Sequence, residues 1–144
     1  MATAAGARTP AQTFALVVGV VYLLVGIVGF AWGFDDPAGL NDDNQLIIFH
    51  VNVLHNIVHI AIGAVLIGAA RAHATAKTAN LGVGVVLLLV AVLGFLEVDF
   101  VREWLNIFEG ASDPDNFLHL ITGAAAVLFG TAAAEGARPT AAAP

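Results

Sequence analysis

From Phe14 to Phe34 the chain runs without one charged side chain. A helix over that stretch is about 31 Å long, enough to cross the roughly 30 Å hydrocarbon core of a bilayer. Three more apolar runs follow: Leu46 to Ala70, about Ala79 to Leu96, and Phe117 to Ala134. Lipid offers backbone groups no hydrogen-bond partner, so such runs must be helical. The expectation is an all-α integral membrane protein, a four-helix transmembrane bundle with spans at about 14–34, 46–70, 79–96 and 117–134. Composition agrees: 59% of residues are hydrophobic and 11% charged, against about 45–50% and about 25% in soluble domains. The first run is expected to stay uncleaved, because it is longer than a secretory core and ends in Trp32, Phe34, Asp35, Asp36 and Pro37. The membrane domain is set at 13–135, between a small-residue arm (1–12) and a Pro-containing tail (136–144), both expected to be disordered.

Charge decides the orientation. Arg8, Arg71, Lys77 and Arg138 fall in the arm, the middle loop and the tail, which four spans bring to one side. By the positive-inside rule that side, with both termini, is cytoplasmic. The other two loops carry Asp35, Asp36, Asp42 and Asp43, then Glu97, Asp99, Glu103, Glu109, Asp113 and Asp115, with Arg102 their only base. In the second of these, Val98, Val101, Trp104, Leu105 and Phe108 recur at helical spacing, which suits a short helix in the interface or packed on the bundle. A net charge of −6 argues against nucleic acid and a polybasic lipid anchor, leaving membrane lipid as the expected partner. A membrane-protein partner or a homo-oligomer is left open. With no cysteine, disulfides, thiolate metal sites and cysteine nucleophiles are excluded.

The chain also repeats itself. Leu16 to Phe30, LVVGVVYLLVGIVGF, matches Leu81 to Phe95, LGVGVVLLLVAVLGF, at ten of fifteen positions. Asn56 to Ala64, NIVHIAIGA, matches Asn116 to Ala124, NFLHLITGA, in the pattern N-x-x-H-x-x-x-G-A. The offsets are 65 and 60 residues. Two tandem helical hairpins follow, inserted in the same orientation and related by a pseudo-two-fold axis along the membrane normal. His59 and His119 then lie at similar depth on opposite sides of that axis.

Within the second run, Asn52, His55, Asn56, His59 and Gly63 share one helix face of roughly 100°. Asn116, His119 and Gly123 make a narrower stripe in the fourth. His50 falls on the far side of its helix and is assigned to the interface. Both stripes should turn inward, with Gly63 and Gly123 one turn below the histidines allowing close helix packing. The first reading is a clasp in a non-enzymatic structural or accessory protein without cofactor, in which Asn56 bonds His119 and Asn116 bonds His59. The alternative is a redox module in which His59 and His119 ligate haem b or, with His55, a transition metal ion. A proton or ion conductor is a third class, but no charged group continues the path through the inner half. Hydrolytic chemistry lacks a nucleophile in the spans, since Ser112 is the only serine.

The segments L-H-N-I-V-H-I-A-I-G (Leu54 to Gly63) and D-N-F-L-H-L-I-T-G (Asp115 to Gly123), after G-V-V-Y-L-L-V-G-I-V-G-F in the first span, resemble the bacterial four-span membrane family catalogued as domain of unknown function 4383. The resemblance covers about Pro10 to Gly130; Arg102 to Gly110 matches no pattern of that family. It implies four helices in a bacterial cytoplasmic membrane and no assigned activity, so no catalytic residue is carried over.

Overall fold

The computed structural model describes residues 7–31, 44–98 and 110–132. Among these, four long helices are built: α1 (Pro10–Ala31), α2 (Val53–Ala69), α3 (His73–Phe95) and α4 (Pro114–Thr131). A two-stranded antiparallel hairpin, β1 (Asn44–Leu46) and β2 (Phe49–Val51), precedes α2. The expected interfacial helix around Trp104 lies almost wholly outside the described residues, and the tail of 136–144 lies outside them entirely.

Two boundaries differ from expectation for identifiable reasons. α1 starts at Pro10, inside the segment assigned to a disordered arm. Thr9 and Gln12 form a reciprocal cap: the Thr9 amide donates to Gln12 Oε1 at 3.1 Å, and the Gln12 amide to Thr9 Oγ1 at 3.4 Å. Proline at the first helical position suits a site whose N–H has no helical partner. At the second boundary, the apolar run from Leu46 does not begin as helix. It forms the hairpin, with Leu46 paired to Phe49 across the turn Ile47–Ile48. Ile47 takes a left-handed φ of 64°, a conformation costly for a β-branched side chain and one the usual Asn-Gly turn signal does not mark. Asn52 then caps α2, its side chain accepting the His55 amide at 2.7 Å. His50 therefore lies in β2, not on a helix face.

α1 packs chiefly on α2 and α3 chiefly on α4, with lighter contacts between these pairs. The buried positions of α1 are Ala11, Ala15, Gly19, Tyr22, Gly26 and Gly29, and 65 residues later those of α3 are Ala76, Asn80, Gly84, Leu87, Ala91 and Gly94. In the same way, the buried His55, Asn56, His59, Gly63 and Leu66 of α2 correspond, at an offset of 60, to Asp115, Asn116, His119, Gly123 and Ala126 of α4. The interior is thus mainly small or polar. Large apolar side chains such as Leu24, Leu89, Ile121 and Leu128 face outward, Ile121 and Leu128 with 68% and 64% of their surface exposed. α1 and α3 are each long and apolar enough to cross a membrane.

Glycine allows the close approach within each pair. A Cβ on Gly63 would lie 2.6 Å from the Leu23 backbone nitrogen and 2.7 Å from the Gly19 carbonyl oxygen. A Cβ on Gly123 would lie 3.0 Å from the Gly84 carbonyl oxygen and from the Leu88 nitrogen.

Candidate functional site

At the hairpin end of α2, three imidazoles converge. His55 and His59, four residues apart, occupy one face of α2, and their Nε2 atoms are 2.8 Å apart. The His119 ring, from α4, lies 6.3 Å from that of His55 between centroids. One ligating nitrogen from each of the three falls within 4.8 Å of the other two, and all three residues are buried. Asp115, one turn before His119, brings its Oδ2 to 3.8 Å from His55 Nε2 and is as deeply buried.

The surrounding chain fixes these groups. His55 Nδ1 lies 3.1 Å from the His50 carbonyl oxygen; a carbonyl only accepts, so Nδ1 carries the proton and Nε2 presents a lone pair inward. The His59 ring packs against Tyr22 of α1 at 4.7 Å. Asp113 caps α4, its Oδ1 accepting the Asp115 amide at 2.9 Å. Two cavities border the cluster. One of about 140 Å³ is lined by the three histidines and by aliphatic residues of α2 and α3. The other, about 230 Å³, is bordered by Tyr22, His55, His59, Asp115, Thr122 and the β-hairpin.

The expected clasp is not formed. Asn56 points at Gly29 of α1, filling the space a Cβ there would need, and both its amide atoms are buried without a hydrogen-bond partner among the described residues. Asn116 does the same at Gly94 of α3 and donates from Nδ2 to the Gly110 carbonyl at 3.0 Å. Each asparagine sits one residue, about 100°, round the helix from His55 or Asp115, which turns it toward the other helix of its own hairpin. Gly63 and Gly123 likewise serve contacts within hairpins. Of the six residues expected in one cluster, His55, His59 and His119 meet; Asn52 is a helix cap, while Asn56 and Asn116 are packing groups.

Asp115 and Tyr22 were missed. The 60-residue offset that overlays His59 on His119 also overlays His55 on Asp115, so the signal for the aspartate was present. A second polar group, at the opposite end of the bundle, was missed as well. There Thr9 Oγ1 lies 2.9 Å from His73 Nδ1, Gln12 donates to the Ala70 carbonyl at 3.1 Å and Asn80 to the Ala11 carbonyl at 3.0 Å. These bonds tie the start of α1 to the turn between α2 and α3 and to the first turns of α3.

Fold and site together define a mainly helical protein, two helices among the described residues being of membrane-crossing length, with a buried cluster of imidazoles and a carboxylate. The chain belongs to the family described as Domain of unknown function (DUF4383), whose family model matches residues 12–132. No curated protein and no solved structure matches it.

Proposed function

We propose that this is a non-enzymatic, four-span protein of the bacterial cytoplasmic membrane, made of two tandem hairpins around a pseudo-two-fold axis. Both termini are cytoplasmic, and the histidine cluster lies in the outer half. The observation that carries this reading is the correspondence of buried faces: position for position, α1 matches α3 and α2 matches α4 at the offsets of the sequence repeat. The outward-facing aliphatic side chains support it further, because so much exposed apolar surface is stable against lipid and a liability in water. An accessory role fits a core whose polar groups face one another and hold no serine or cysteine nucleophile.

Because the chain has no cysteine, single cysteines are unambiguous reporters. Introduced at Ala38 and at Ser112, they label from outside intact cells with an impermeant maleimide, whereas one at Ala74 labels only after permeabilisation. External labelling of Ala74, or labelling of Ala38 and Ser112 from opposite sides, overturns the reading.

A further inference from the structure

We propose that His55, His59, His119 and Asp115 bind one divalent transition-metal ion of the zinc class between the two hairpins. Each hairpin supplies two donors, and the repeat pairs them: His59 with His119, and His55 with Asp115. An ion on the pseudo-two-fold axis meets them from both sides. The proposal uses the packing of the hairpins but not their orientation in a membrane, which the labelling experiment tests separately.

The three imidazoles suit three corners of a tetrahedral ion after small adjustments, and Asp115, 3.8 Å from His55 Nε2, reaches the fourth by turning its side chain further inward. With Zn–N bonds of about 2.0–2.1 Å, neighbouring ligand atoms stand about 3.3 Å apart. His55 and His59 Nε2, now 2.8 Å apart, open by about 0.5 Å. The remaining nitrogen contacts, none longer than 4.8 Å, close by at most about 1.5 Å. Side-chain torsions beside two cavities accommodate such movements.

Protonation points the same way. The His50 carbonyl holds the proton of His55 on Nδ1 and leaves Nε2 free to ligate, the outer-shell arrangement usual for metal-binding histidines. With that lone pair facing it, His59 Nε2 must donate a proton in the empty site; an ion replaces this proton and binds both nitrogens. His59 then carries its proton on Nδ1, which has no hydrogen-bond partner among the described residues, and the larger cavity bordering it has room for a water to accept that hydrogen bond. Asp115 supplies the second independent observation: among the described residues its Oδ2 is buried without a hydrogen bond, beside His55. Such a carboxylate oxygen is costly until a cation or donor reaches it.

Donor chemistry selects the ion. Three imidazoles and a carboxylate, with no sulfur from cysteine anywhere in the chain, favour zinc and its divalent neighbours over thiolate-preferring copper(I). Haem is less well accommodated, because His55 Nε2, 2.8 Å from His59 Nε2, crowds the space that an iron and its ring would need beside that nitrogen.

The test uses the full chain, purified in detergent, stripped with chelator and titrated with Co²⁺ as a coloured stand-in for Zn²⁺. The expected result is one equivalent bound with the intense visible bands of tetrahedral cobalt, bleached by one equivalent of Zn²⁺. His119→Ala weakens binding by about a hundredfold or more and Asp115→Asn by about 10–100-fold, while His73→Ala, at the other end of the bundle, binds as the parent does. Circular dichroism and elution volume establish that each variant is folded; should His119→Ala fail to fold, the parent titration decides alone. Absence of a stoichiometric site in the parent, or a pale octahedral spectrum, overturns the proposal. Loss of the site in His73→Ala also overturns it, and parental affinity in Asp115→Asn overturns the four-donor set.

Discussion

Replacing Gly63 by alanine probes the tightest approach of a glycine to backbone atoms between α1 and α2. The new Cβ would sit 2.6 Å from the Leu23 nitrogen and 2.7 Å from the Gly19 oxygen, both backbone atoms that no rotamer change can move. Ordinary contact begins at 3.4 Å, so α1 and α2 must separate locally by about 0.8 Å. Overpacking of this kind costs about 1–3 kcal/mol, partly offset by the roughly 0.8–1 kcal/mol by which alanine is the better helix former. The net expectation is a loss of up to about 2 kcal/mol. Gly123→Ala meets its nearest atoms at 3.0 Å, needs half the displacement and loses about 0–1 kcal/mol. Gly68→Ala, on the same helix as Gly63 but with nothing within 4 Å of its added Cβ, gains up to about 1 kcal/mol. Equilibrium unfolding in mixed micelles, followed by helical circular dichroism as denaturing detergent is titrated in, measures all three. The expected order of stability is Gly68→Ala, then Gly123→Ala, then Gly63→Ala. Equal stability of Gly63→Ala and Gly68→Ala would refute the backbone contact between α1 and α2.

Three further outcomes are expected. Asn52→Ala removes the cap on the His55 amide and lowers stability by about 0.5–2 kcal/mol; because that cap also sets the first turn carrying His55, cobalt affinity falls with it, whereas Asn52→Asp retains both in the same titrations. Gln12→Ala loses the reciprocal cap with Thr9 and the bond to the Ala70 carbonyl, so amide hydrogen exchange speeds up at the start of α1 and not at its middle. Lowering pH from about 7.5 to about 5 weakens cobalt binding by about tenfold or more, because burial raises the Asp115 carboxyl to about 7 and the ion must displace its proton to bind; the sign is loss with acid, and binding that is indifferent to pH counts against Asp115 as a ligand.

Much of the architecture was legible because its causes are local. Long uncharged apolar runs favour helix, and four of them form α1 to α4, two long and apolar enough to cross a membrane; the matched segments at offsets of 65 and 60 residues indicated which buried position answers to which. What escaped was of two kinds. Some signals were present but competed with louder ones: Thr9-Pro-Ala-Gln12 is a capping pattern at the edge of a small-residue arm, and Asn52 is a natural cap that also fell at helical spacing from His55 and His59. Asp115 looked like one acid among many in a loop, although its place over His55 in the repeat marked it. Other features had no local signal: the hairpin turns at Ile47–Ile48 without the glycine or asparagine such turns favour.

Hydrophobicity and periodicity act within a turn or two of the chain, so the helices and the inward placement of His55, His59 and His119 were already legible in the residues. Which polar groups meet depends on how the helices pack. Asn56 and Asn116 differ by one position from the residues of the cluster, yet that single step of about 100° carries them to Gly29 and Gly94 in their own hairpins. His55 and Asp115, 60 residues apart, are turned to within 3.8 Å of each other. Helix rotation is set by where backbones can approach, and at Gly63 and Gly123 that approach is limited by atoms of a different helix. No residue pattern within one helix contains that distance.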